Sequence, residues 1–313
     1  MRKILRSGIQ VDEYACVLDD QIVSLEKTAQ GSHYAGVVFQ KPDLDTCLTA
    51  LILGVTEKER AIPTDSTPED LLADPTILCI EAGGSGQVHL NNFDHHDPNH
   101  YFPPACRQAY DVSGIADQAM ARLVDYVAMV DDGNFPPSLV TEEKVHLSHL
   151  FSGLLLSTPT IEDRFFSGIT FLQTVWRLGT DPFAGCSLLP EWRPYLEAWR
   201  DNKKQLALAS SAIERFRTAQ GLAVGVLQHA AIGGFDLLYA CGCDLAVLSS
   251  PSWGPDRVRK YTIGSRHLQL NDLLTVLLQQ ESGWGGRAHI IGSPRQGSLL
   301  EPETIKAIIK RFL

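Results

Sequence analysis

The sequence predicts a two-domain α/β protein with a parallel-sheet first domain and a smaller mixed-sheet second domain. Three observations point there. The chain has 313 residues, more than one small core accommodates. Its first half alternates apolar strand-like runs with helical periodicity, which is the signature of a parallel sheet covered by helices on both faces. Short strands then cluster after Gly221, where the pattern changes. The expected boundaries are a first domain over 1–190, a linker helix over 191–220 and a second domain over 221–313.

The elements follow in order. Residues 34–39 read as a buried strand, the loop Lys41-Pro42-Asp43-Leu44-Asp45 follows, and 46–54 read as a helix. Residues 76–80 form a second strand that ends at Glu81 and runs into Gly83-Gly84-Ser85-Gly86. An extended piece over 88–93 leads into Asp94-His95-His96, and helical spacing covers 114–129 up to Asp131-Asp132-Gly133. Amphipathic helices are expected over 144–156 and 161–178, and a long charged helix over 192–219. Beyond it, strands are expected over 223–229, 235–241, 244–249 and 259–263. A helix over 271–280, a glycine-rich loop over 283–292 and a closing helix from Pro302 complete the reading.

Bulk properties bound the function. The formal net charge is −10. Residues 221–313 hold nine basic and seven acidic side chains, whereas the preceding 220 hold 18 basic and 30 acidic. An acidic first domain suits cations. It is a poor binder of long duplex nucleic acid, whose affinity comes from neutralising phosphates. No apolar run is long enough for a membrane helix, and the three basic residues within 1–10 lack an apolar stretch after them. The expectation is a cytoplasmic protein without membrane association. Seven scattered cysteines, an odd number, argue against a disulfide framework, and Cys241-Gly242-Cys243 lacks the usual zinc spacing.

The chemistry-bearing residues sit at strand ends, where parallel sheets bind their ligands. Asp43 and Asp45, Glu81, then Asp94, His95 and His96 each follow a predicted strand, and Asp131 follows a helix. Carboxylates and imidazoles held together suit hard and borderline divalent cations. Two cations about 4 Å apart activate water and clamp a phosphate.

This order resembles the DHH phosphoesterase superfamily, in particular the branch with a C-terminal DHHA1 domain that includes oligoribonucleases and phosphatases of 3′-phosphorylated nucleotides. Pro42-Asp43-Leu44-Asp45 is similar to its first motif, and Asp94-His95-His96 is the naming motif. Asp131-Asp132-Gly133-Asn134-Phe135 resembles Asp-Thr-Gly-x-Phe, and Gly264-Ser265-Arg266 resembles Ser-x-Arg. Residues 285–292 resemble the glycine loop Gly-Gly-His-x-x-Ala-Ala-Gly. The matches span 34–295.

The resemblance implies roles position by position. Asp43, Asp45, Glu81, His95 and Asp131 match metal ligands, for one or two ions, with Mn2+ the usual ion and Mg2+ or Co2+ as alternatives. Asp94 would orient the imidazoles, and His96 would face the scissile phosphate. Arg266, Gly285, Gly286, Arg287 and His289 would bind the substrate's far phosphate or nucleotide. The implied reaction is hydrolysis of a phosphoester in a small phosphorylated nucleotide or short oligonucleotide. A homodimer is compatible with the sequence. Three departures stand out. Phe39 occupies the place of the first motif's histidine, Glu81 replaces an aspartate, and Arg287 replaces the histidine of the glycine loop. The first removes an imidazole from one metal, with His33 or His100 as substitutes. It leaves open a nucleotide-binding or sensor protein without turnover, and the N-terminal motifs by themselves also allow a pyrophosphatase-like hydrolase. The glycine loop argues against the last, because pyrophosphatase-type relatives carry a different second domain.

Overall fold

The computed structural model describes residues 34–64, 67–97, 100–132, 145–185, 189–228, 232–253, 258–294 and 296–313, without the side chains of 251–253 and 287. The chain divides into two compact units, one ending at Trp199 and one beginning at Arg200.

The first unit is built on a four-stranded sheet. β1 (Gly36–Phe39), β2 (Ala61–Pro63), β3 (Ile77–Ile80) and β4 (Asn92–Phe93) lie in the order β2-β1-β3-β4, every pair parallel. Both β1 and β3 are buried along their whole length, which is why they read as unbroken apolar runs rather than as alternating ones. The pleat still divides them. Val37, Phe39, Leu78 and Ile80 enter the main core, and Val38, Ile77 and Cys79 pack on the opposite face against Ile62, Leu71 and Leu72.

Helix α1 (Leu44–Ile52) starts where β1 ends and is buried on all sides. Asp43 caps it, Oδ1 accepting from Thr46 N at 3.0 Å. A short α2 (Glu69–Leu72) precedes β3. Beyond β4 come α3 (Ala105–Ser113), α4 (Gln118–Asp131), α5 (Leu147–Ser157) and α6 (Ile161–Arg177). Phe39, at the end of β1, is fully buried and stacks on Phe165 of α6, with centroids 4.2 Å apart and planes 13° apart.

Helix α7 (Arg193–Ala209) carries the chain from one unit to the other. The second unit has a six-stranded mixed sheet. Its strands are β5 (Glu214–Arg217), β6 (Ala223–Leu227), β7 (Leu245–Trp253), β8 (Val258–Ser265), β9 (Gly285–Arg287) and β10 (Ile290–Gly292), in the order β5-β6-β7-β8-β10-β9. Only β6 and β7 pair in parallel. α8 (Gly234–Ala240) joins them, and α9 (Asn271–Gln280) and α10 (Pro302–Phe312) complete the unit. Leu273, Leu277, Ile305 and Ile309 from these last two helices share a core with Val224, Val247 and Ile263.

Four expectations need correction. The linker helix expected to reach residue 219 ends at Ala209, and Glu214–Arg217 is an edge strand on β6. Its three charged residues suit a sheet edge that must not recruit another strand. Residues 235–241, expected as a strand, lie mostly in α8, because two parallel neighbours cannot be joined by a tight turn and need a crossover. Residues 88–90 form a 3-10 turn closed by Asn91 at φ 60°, which leaves only Asn92–Phe93 as strand. α3 was not anticipated.

Gly153 of α5 lies against the Tyr195 carbonyl of α7, and a Cβ there would stand 1.8 Å from that oxygen. Gly153→Ala must therefore push α5 away from α7. We expect a loss of about 1–3 kcal/mol, read as a lower urea midpoint. An unchanged midpoint would contradict this packing.

Candidate metal centre

Parallel register builds the site. Phe39 pairs with Ile80, and Ile80 pairs with Phe93, so three strands end level with one another. Residues that follow those ends emerge at one edge. From β1 come Asp43 and Asp45, from β3 comes Glu81, and from β4 come Asp94, His95 and His96. Asp131, the last residue of α4, joins them.

Asp45, Glu81, His95 and Asp131 each offer one ligand atom, and these four atoms all lie within 4.8 Å of one another. His95 Nε2 is 2.9 Å from Glu81 Oε1 and 3.2 Å from Asp131 Oδ2. Glu81 Oε1 and His95 Nε2 are buried and, beyond these close approaches within the cluster, satisfy no well-aligned hydrogen bond. A buried polar atom left unpaired costs roughly 1–3 kcal/mol, so atoms of this kind aimed at one point mark a place where a ligand belongs. Three carboxylates and an imidazole are a fitting donor set for a divalent cation such as Mn2+ or Mg2+.

The surroundings fix these donors. Asp45 Oδ2 accepts from Ala105 N at 2.8 Å, and Oδ1 accepts from Cys106 N at 2.7 Å. Asp45 thus caps the start of α3, whose own N-cap residue, Pro104, has no side-chain donor or acceptor to do so. Each of its oxygens keeps a lone pair for a metal. Glu81 sits at φ 50°, a left-handed conformation that costs a non-glycine residue roughly 1–2 kcal/mol. Its backbone is held by Glu81 N donating to Phe93 O at 2.8 Å. Asp94 belongs to neither metal-capable group. Its Oδ2 accepts from Gly83 N at 2.8 Å, while Oδ1 accepts from His96 N and lies 2.8 Å from His96 Nδ1. Gln108 Nε2 of α3 donates to Asp94 O at 3.1 Å and to Pro103 O at 2.7 Å. His96 Nδ1 is also 3.8 Å from Glu81 Oε1. Of the two imidazoles that follow it, Asp94 contacts that of His96.

Electrostatics record the crowding. Burial, then the charge on Glu81, pushes the Asp45 carboxyl well above its usual value. Burial, then the charges on Asp43, Asp131 and Asp94, does the same to Glu81. Burial raises Asp43, against the hydrogen bonds from Thr46. Asp131 rises to about 6 through burial, with His95 opposing. A cation placed among these groups reverses the penalty.

The remaining expected residues fall as follows. Asp43 lies beside the cluster, but it is a helix cap and joins neither metal-capable group. His100 is largely exposed and its Nδ1 lies 3.4 Å from Asp97 Oδ2, so it replaces no ligand. His33 and Gly133, Asn134 and Phe135 lie outside the described residues. In the second unit, Ser265 N donates to His289 O at 2.9 Å and Ile290 pairs with Gly264. This brings Arg266, Gly285, Gly286, Arg287 and His289 to one edge of that sheet. Arg266 lies 4.7 Å over the Tyr239 ring and 3.9 Å from Asp236. His289 Nδ1 is 2.8 Å from Leu268 O, which leaves Nε2 exposed. Gly286 has φ 145°, and a Cβ there would stand 2.2 Å from Ile290 O. The side chain of Arg287 lies outside the described residues. A separate cavity of about 600 Å³ in the first unit, walled by Phe166, Phe171, Trp192 and Tyr195, contains none of these groups.

Sequence reasoning missed Gln108, the amides of Ala105 and Cys106, and Phe165, all supplied by elements with no motif of their own.

A two-unit α/β protein with a parallel sheet, a carboxylate–histidine cluster at its strand ends and a second mixed sheet is the class that these features define. Among solved structures, the chain is similar to a pGpG-specific phosphodiesterase, PggH from Vibrio cholerae. The TM-score is 0.51 and the identity 15%, over 83% of this chain and 92% of that one. It also matches a DHH domain from a member of a family of ribosomal proteins, with TM-score 0.41 and 11% identity over 98% of this chain and 92% of that one. No family model and no curated protein matches. The first likeness shows a shared fold.

The raised carboxyls give a signed expectation for the cation-free protein. A carboxyl whose folded pKa is raised binds more protons folded than unfolded, so its contribution to stability falls as pH rises through that interval. For Asp131 the interval runs from roughly 4, its unfolded value, to about 6. In the presence of chelator, Asp131→Asn should therefore gain stability relative to wild type as pH rises across it. Paired thermal melts read this, and parallel profiles would refute it. Added Mn2+ should stabilise wild type more than the variant.

Proposed function

We propose that the protein is a cation-dependent phosphodiesterase acting on a small nucleotide, such as a linear dinucleotide or another short oligonucleotide. The observation that carries the reading is the convergence of Asp45, Glu81, His95 and Asp131, whose ligand atoms all lie within 4.8 Å of one another, with Glu81 Oε1 and His95 Nε2 buried and facing each other at 2.9 Å. The likeness in fold to a phosphodiesterase specific for pGpG supports the substrate class.

When bound, the cation supplies Lewis acidity to a phosphoryl oxygen and makes a nucleophile available at neutral pH. The chain's own residues do the remainder. Asp45, Glu81, His95 and Asp131 would hold the cation, Asp45 itself being held by two backbone amides. Asp94 holds His96 through Nδ1 and thereby leaves Nε2 as the ring atom that exchanges a proton with the substrate's oxygens. The family resemblance assigns recognition of the substrate's phosphate or base to the second unit, through Arg266, His289 and the backbone at Gly285 and Gly286.

A second reading is a nucleotide-binding protein without turnover. It is favoured by one observation, the use of Phe39 in a core stack where the related motif has an imidazole.

Purified protein with Mn2+ should hydrolyse at least one of a linear diguanylate, a short oligoribonucleotide or a 3′,5′-bisphosphonucleoside. His95→Ala should lower kcat/KM by about two orders of magnitude or more. Binding of these compounds without turnover at any Mn2+ concentration would transfer the assignment to the second reading.

A further inference from the structure

We infer that the centre holds a single divalent cation on Asp45, Glu81, His95 and Asp131, and that Asp43 is a helix cap rather than a ligand. The inference refines the metal requirement of the proposed activity, but it rests on ligand geometry and stands or falls without turnover.

The donors define one position. The two metal-capable groups are Asp45-Glu81-His95-Asp131 and Glu81-His95-His96. They share Glu81 and His95, so they describe one locus and not two separate ones. His96 is already committed through Nδ1 to Asp94 Oδ1 at 2.8 Å.

A second ion beside the first needs its own donors on the β1 side, and three observations remove them. Phe39 ends β1 opposite Ile80, one residue before Glu81. At that place the chain puts a ring that is fully buried and stacked at 4.2 Å on Phe165, with no donor atom. Asp43 caps its helix through Thr46 N at 3.0 Å and, unlike Asp45, joins neither metal-capable group. Among the described histidines, His100 lies largely exposed with Asp97. Among the described residues, two carboxylates, Asp43 and Glu81, are all that this side offers, whereas a cation held by protein side chains ordinarily takes three or more.

The test is cation stoichiometry and spectroscopy on the full chain. Mn2+ is titrated into chelator-stripped protein and followed by electron paramagnetic resonance, with free Mn2+ counted. We expect one ion per chain, with the hyperfine pattern of an isolated ion. Asp43→Asn keeps a good capping residue and should change the Kd by no more than about threefold. Asp45→Asn and His95→Ala should weaken it by about tenfold or more. Two ions per chain with the broadened signal of a coupled pair, loss of the ion in Asp43→Asn, or no bound ion at all would each overturn the inference. The outcome is separable from the proposed function. One bound ion without hydrolysis removes the phosphodiesterase reading and keeps this one, and two ions with hydrolysis do the reverse.

Discussion

Parallel pairing of β1, β3 and β4 is the constraint on which the site depends. Because Phe39, Ile80 and Phe93 lie level in neighbouring strands, the loops that follow leave the sheet at one edge. An antiparallel arrangement would have sent one of them to the far side. The strands are buried on both faces, so register cannot slip by one residue without moving Phe39, Leu78 and Ile80 to the wrong layer. The packing that stabilises the sheet is thus the same packing that brings Glu81 within 2.9 Å of His95.

That convergence has an electrostatic cost. Asp45, Glu81 and Asp131 all carry raised pKa values, with burial as the leading cause in each. Left without a cation, such a cluster opposes folding above the ordinary carboxylate range. The chain tolerates it through backbone contacts. Asp45 takes two amides from the start of α3, Asp94 takes one from Gly83, and Glu81 is held in a left-handed conformation by its bond to Phe93. Strain and like charge collected at one point are characteristic of functional sites, and here both meet at Glu81.

Phe39 shows how one position shifts a site without shifting the fold. A ring there extends the apolar layer to Phe165 and tightens the junction of β1 with α6. The fold gains buried area, and the cluster loses a donor. The second unit makes a parallel trade at its glycine hairpin, where Gly286 allows β9 and β10 to approach so closely that any side chain would strike Ile290 O.

Much of this was legible in the sequence, and the limits have physical causes. The unbroken apolar strands, the Asp94-His95-His96 triplet, the carboxylates at strand ends and the glycine hairpin could be read directly, because burial and metal chemistry constrain residue type at each place. The residues around them could not. Gln108 and the amides of Ala105 and Cys106 act through position alone, on a helix whose start has no capping side chain of its own. The 235–241 segment looked like a strand because Phe, Leu and Tyr serve either structure, and only the parallel pairing of β6 with β7 required a helix between them. The sequence by itself determined which groups can bind a cation and that they follow strands. Tertiary structure alone decided which of them meet, since ligand geometry depends on distances between atoms far apart in the chain. By that criterion Asp45, Glu81, His95 and Asp131 form the cluster, and Asp43, two residues from Asp45, does not.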